Sequence, residues 1–136
     1  MRWIRSMAFF GSGAIISAAL IVGLAFYLRL GNRVASGVSA RGVQAVRPGM
    51  TLTELGAHLG SPIQIRAKNP TDPSTFYFDY TEPGWLNEGY AITVATTSSQ
   101  VVSVLVEYAD IVVYRCDEKG PEFVSRPELL DGLDRD

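Results

Sequence analysis

The sequence predicts an α+β protein. A transmembrane helix near the N-terminus precedes a two-layer domain of two short helices packed on an antiparallel sheet of three strands, or four if residues 111–116 stand apart from the strand before them. Three observations carry this expectation. Met7 to Leu28 is a run of 22 residues without a charged side chain. Thr51-Leu52-Thr53-Glu54 has the form of a helix capping box. The segments Ser74–Tyr80 and Tyr90–Thr96 alternate apolar and polar residues with the period of two that a half-buried strand requires.

The charge-free run is long enough, at about 1.5 Å rise per residue, to cross a hydrocarbon core of roughly 30 Å. Arg2, Trp3 and Arg5 precede it, and Tyr27, Arg29 and Arg33 follow, an arrangement that suits a membrane interface. A cleaved signal peptide is the rival reading. Its small-residue site, Val38-Ser39-Ala40, lies well past the apolar run, and that run exceeds the usual signal-peptide length. A lipoprotein anchor needs a cysteine just after the run, and the only cysteine is Cys116. Residues 1–6 are then the expected cytoplasmic N-terminus and 7–30 the transmembrane helix. A linker at 31–38, a folded domain at 39–116 and an acidic tail at 117–136 follow. Charge is unevenly placed: residues 1–68 carry eight Lys or Arg against one acid, and residues 69–136 carry four against thirteen. The basic half suits anionic headgroups, whereas the acidic half argues against nucleic acid, which needs a concentrated basic face.

Gly31 to Gly37 reads as linker. Ala40, Val43 and Val46 share a face of a first helix spanning Ser39–Val46, weakened by Gly42 at its centre, and Pro48-Gly49 breaks the chain. In the capping box the Thr51 hydroxyl accepts from the Glu54 N–H, and the Glu54 side chain returns to the Thr51 N–H. Leu52, Leu55 and Leu59 form the buried stripe, and Gly60 followed by Pro62 ends the helix. Along Ser74–Tyr80 the residues Phe76, Phe78 and Tyr80 take one face, Tyr77 and Asp79 the other. A Pro-Gly-Trp-Leu loop at 83–86 leads to Tyr90–Thr96, where Tyr90, Ile92 and Val94 oppose Ala91, Thr93 and Ala95. Residues 97–100 are an expected hairpin turn and Val101–Glu107 its return strand. Ile111–Cys116 is either a continuation past a bulge or a fourth strand.

The string Val46-Arg47-Pro48-Gly49-Met50-Thr51, with Leu55 and Leu59-Gly60-Ser61-Pro62, resembles the signature of the SmpA/OmlA (BamE-like) family. The similarity covers about residues 39–107, and the strand order that follows is similar to the family's. What the resemblance implies is a protein-contact fold without cofactor or catalysis, placed outside the cytoplasm. Charge bias alone leaves the orientation tied, and the resemblance resolves it with the N-terminus inside, the domain periplasmic and the anchor in a bacterial inner membrane.

An enzyme needs a base or nucleophile with an activating partner. The single histidine, His58, sits in the last turn of the second helix, far along the chain from Cys116, and Asp72, Asp79 and Asp110 lack a metal-binding spacing. No catalytic function, cofactor, metal or small-molecule substrate is expected. Trp85 and Leu86 on their loop, with Tyr77 and Tyr90, are the candidate partner-binding residues, since large aromatic side chains dominate interface energetics. The expected function is that of a membrane-anchored interaction module, an accessory or assembly-type subunit of an envelope complex. The alternative is an inhibitor or immunity protein that blocks a toxin or enzyme.

Overall fold

The computed structural model describes residues 13–24, 31–84, 86 and 89–135. Residues 13–24 are helical (α1), and the apolar side chains along that helix face solvent, Ile15 and Leu20 being about 70% exposed. Among the described residues, no helix is long and apolar enough to cross a membrane. That finding overturns the expected transmembrane helix and the inner-membrane placement that depended on it. Residues 7–12 and 25–30 of the expected span, and the expected cytoplasmic N-terminus, lie outside the described residues.

Sheet dominates the fold. Among the described residues eight strands follow α1: β1 (Arg33–Val34), β2 (Gln64–Asn69), β3 (Asp72–Asp79), β4 (Thr81–Glu82), β5 (Tyr90–Thr96), β6 (Val101–Tyr108), β7 (Ile111–Asp117) and β8 (Gly120–Phe123). Helices α2 (Ala40–Ala45) and α3 (Leu52–Leu59) precede β2, and a 3-10 helix, Pro127–Asp134, closes the chain. Six strands form one antiparallel sheet in the order β2-β3-β5-β6-β7-β8, while β1 and β4 pair beside it. The expected three or four strands are therefore two too few at the least. The strands missed in this sheet, β2 and β8, are its two edges, and the two-residue strands β1 and β4 were not expected either. An edge strand has one neighbour and a short or charged sequence, so the alternation that marks a half-buried strand is faint in it.

Short turns set the meander. Asn69 Oδ1 accepts from the Thr71 N–H at 3.1 Å, closing the β2–β3 hairpin. Thr97 N donates to the Gln100 carbonyl at 2.8 Å between β5 and β6. Ala109 and Asp110, both at positive φ, join β6 to β7, so Ile111–Cys116 belongs to a separate strand. Gly120, at φ 102, opens β8 where Asp117 Oδ1 caps the turn at the Lys119 N–H.

The helices pack on one side of this sheet. In α3 the capping box is complete: Thr51 N–H donates to Glu54 Oε2 at 2.7 Å and Glu54 N–H to Thr51 Oγ1 at 3.2 Å. The Thr51 backbone N–H, then its hydroxyl, holds the Glu54 carboxyl below its usual range. Leu55 and Leu59 are buried against Ile92, Val94, Val104 and Val106, whereas Leu52 is only partly covered. Tyr80, fully enclosed at the end of β3, has its phenol pushed up to about 12 by burial.

Residues 117–135 are not a tail. After β8, Leu130 and Leu133 enter the core, at 0% and 8% exposure, and Asp134 Oδ1 accepts from the Ala40 N–H at 2.9 Å, capping α2 from 94 residues away. The acidic composition of this stretch reflects only its outward side.

Candidate interaction face

One side of the sheet is the helix-covered core, and the other is open among the described residues. Cross-strand partners share a face, so the registers define the open side directly. Gln64 lies opposite Asp79, Asp79 opposite Thr93, Thr93 opposite Leu105, Leu105 opposite Arg115, and Arg115 opposite Glu122. One straight row thus crosses all six strands. A second row runs Arg66, Tyr77, Ala95 and Ser103. None of these side chains belongs to the buried core cluster. Those on β3, β5 and β6 are half-buried, and those on β2, β7 and β8 are exposed.

In the middle of the face Ala91, Thr93, Ala95 and Ser103 are small, Leu105 is the largest apolar member, and Glu107 stands opposite Ala91. Each flank carries a fixed ion pair. On the β2–β3 side, Arg66 Nε meets Asp79 Oδ2 at 2.6 Å and Nη2 meets Oδ1 at 3.3 Å, a two-pronged contact. The Thr93 hydroxyl donates to Asp79 Oδ1 at 3.1 Å, and the guanidinium lies over the Tyr77 ring at 4.6 Å. The hydrogen bond from Asp79 raises the Arg66 pKa further, so its charge is permanent. On the far flank, Arg115 places Nη2 at 2.6 Å and Nε at 2.7 Å from Glu122 Oε2.

The expected partner-binding residues scatter. Tyr77 belongs to the open face. Leu86 is about half exposed on its loop, and Trp85 lies outside the described residues. Tyr90 points into the core at 8% exposure, where its ring packs edge-on against Tyr108 at 5.0 Å and its hydroxyl donates to the Leu129 carbonyl. It is a structural residue that holds the 3-10 helix. Sequence reasoning missed Arg66, Leu105, Arg115 and Glu122. The alternation already placed Tyr77 and Asp79 together, but β2 and β8 were not recognised, and the registers that align Leu105 and Arg115 with Asp79 join segments remote in the chain.

Other features are poor sites. His58 is half-buried on α3 and Cys116 is fully buried in β7. Among the described residues, no three His, Cys, Asp or Glu side chains are placed to hold a metal. An open groove of about 500 Å³ between residues 33–37 and 60–63 contains one charged side chain, Arg33, already paired with Glu82 at 3.1 Å.

No family model matches the chain, and no curated protein or solved structure is significantly similar to it. Nothing in these comparisons bears on the resemblance to the SmpA/OmlA family.

Proposed function

We propose that this chain is a protein–protein interaction module, an accessory subunit whose contact surface is the open face of the six-stranded sheet. The observation that carries the reading is the row from Asp79 to Glu122: a flat strip of small side chains bounded by two ion pairs held in place by the strands. A flat surface suits a flat macromolecular partner, since small molecules require a concave site. The charges are already oriented by their in-chain partners, so binding loses little side-chain freedom. The SmpA/OmlA-like motif, whose family resemblance implies protein contact, supports the same reading.

The test is a photo-crosslinking residue placed at Ser103 in the full chain in cells, with Thr53 on the exposed side of α3 as the control position. A discrete adduct from Ser103 and none from Thr53 is the expected result. Equal labelling at both positions, or none at Ser103, removes the open face as a contact surface.

A further inference from the structure

The apolar side of the sheet stops short at one edge. Cross-strand partners on the core side form the row Ile65, Phe78, Val94, Val104, Cys116 and Pro121. Val94, Val104 and Cys116 are buried and Phe78 is half-buried, but Ile65 is 56% exposed. Ile65 lies on β2, and among the described residues no strand pairs with the outer edge of β2. Backbone N–H and C=O groups along such an edge are a template for another strand. The opposite edge is closed, since β8 has four residues and one of them, Pro121, brings no N–H. β2 has six residues and no proline. The sheet therefore offers one edge for extension, not two.

We propose that β2 pairs antiparallel with β2 of a second copy of this chain, about a two-fold axis perpendicular to the sheet, so that the two six-stranded sheets become one. This edge is separate from the open face, and the proposal goes beyond the reading of that face. An axis in this direction keeps the helix-covered sides of both copies together, so each residue stands opposite one from its own side of the sheet. The axis must then pass through a β2 residue, and the charges choose which. Arg66 and Lys68 are the only charged residues of the strand. An axis at Arg66 or Lys68 sets like charges directly opposite, which destabilises the pair. An axis at Ala67 sets Arg66 against Lys68. An axis at Gln64 or Asn69 pairs β2 mostly with residues beyond its own ends. An axis at Ile65 avoids all of these.

In that register Ile65 stands opposite itself, Gln64 opposite Arg66 and Ala67 opposite Ile63, with Lys68 opposite Pro62 at the end of the pairing. The Gln64 amide oxygen accepts from the Arg66 guanidinium. The two Arg66 residues are diagonal neighbours, about 7–8 Å apart, and each is already neutralised by its own Asp79. On the other side the two Ile65 side chains meet on the axis and carry the apolar row across the junction. With one open edge per chain, the interface is isologous and closes at the dimer. An edge of six residues at roughly 3.3 Å rise is about 20 Å long. It buries less than the ~1,200 Å² of small specific interfaces, so the dimer is weak and concentration-dependent.

The test is disulfide trapping of the full chain at about 100 µM under mild oxidation. Opposed residues of an antiparallel pair have Cα atoms about 4.5–5.5 Å apart, inside the range that a disulfide spans. Ile65→Cys is expected to give a covalent dimer at least about tenfold faster than Phe123→Cys, a similarly exposed position on β8. Gln64→Cys mixed with Arg66→Cys is expected to join across the two variants faster than either joins to itself. Ile65, Gln64 and Arg66 are all exposed, so these changes do not threaten the fold. The wild-type chain, whose Cys116 is buried, is the blank. In cells, a photo-crosslinking residue at Ile65 is expected to give an adduct of twice the chain mass. No Ile65→Cys dimer, equal trapping at positions 65 and 123 (as association through α1 would give), or no preference of Gln64→Cys for Arg66→Cys overturns the proposal. An Ile65 adduct with a different protein overturns it as well, because the edge then belongs to that partner. Crosslinks from Ser103 test the open face alone, so the two readings fail separately.

Discussion

At Gly42 a single missing methyl decides how two helices meet. A Cβ built there lies 2.5 Å from the His58 carbonyl oxygen, so α2 rests on the last turn of α3 at a distance only glycine permits. Gly37 makes the same approach to the Leu59 carbonyl at 2.7 Å. Gly56, on the exposed side of α3, has nothing within 4 Å of the corresponding position. The two helical glycines should therefore answer oppositely to the same change. Gly42→Ala gains about 1 kcal/mol of helix propensity but drives a methyl into backbone that cannot yield, for a net loss of about 1–3 kcal/mol. Gly56→Ala gains the propensity alone, about 0.5–1 kcal/mol. Urea denaturation of the two variants checks the pair, and equal signs would refute the close-approach argument.

Among the elements, the β6–β7 hairpin carries a local conflict. Its two turn residues, Ala109 at φ 48 and Asp110 at φ 64, both adopt the left-handed conformation that a two-residue primed turn needs and that alanine disfavours. The strands impose it: Tyr108 pairs with Ile111, Glu107 with Val112, and a bulge follows in which Val113 and Tyr114 are both buried. Asparagine tolerates this region far better than alanine. Ala109→Asn is expected to stabilise the protein by about 0.5–1 kcal/mol, seen as a higher denaturation midpoint with an unchanged slope. No gain would mean that the turn relaxes out of this conformation. The helix α3 shows the contrary case, in which local sequence and tertiary placement agree, since cap, stripe and terminating Gly60 all lie within ten residues of chain.

On the scale of the whole molecule, the C-terminal segment completes the core. Leu130 is fully buried, the Leu129 carbonyl receives the Tyr90 hydroxyl, and Asp134 caps α2, so the last residues fasten the first helix of the domain to the sheet. Leu130→Ala is expected to cost about 2–5 kcal/mol, comparable to a central core leucine, whereas a dispensable tail would lose nothing measurable. Thermal unfolding of that variant settles the point. Such a loss is a large fraction of what a domain of this size commands. The same docking leaves the opposite side of the sheet open, because α2, α3 and the 3-10 helix are all committed to one face.

Short-range chemistry made part of this legible. The capping box at Thr51 and Glu54, the alternation along β5 and the turn at 97–100 each depend on residues within a few positions of one another, and sequence by itself determined them. What lies on the far side of a strand, or above a helix, depends on residues remote in the chain, and those only the tertiary structure decided. Leu130 reads as part of an acidic tail until β7 and α2 are beside it. Tyr90 reads as a candidate contact until the 3-10 helix covers it. The charged row joins side chains from Asp79 to Glu122 on five strands, and no local pattern records that they are neighbours. Hydrogen-bond register across strands, unlike a helix cap, is a relation between distant segments, and it exists only once the sheet has formed.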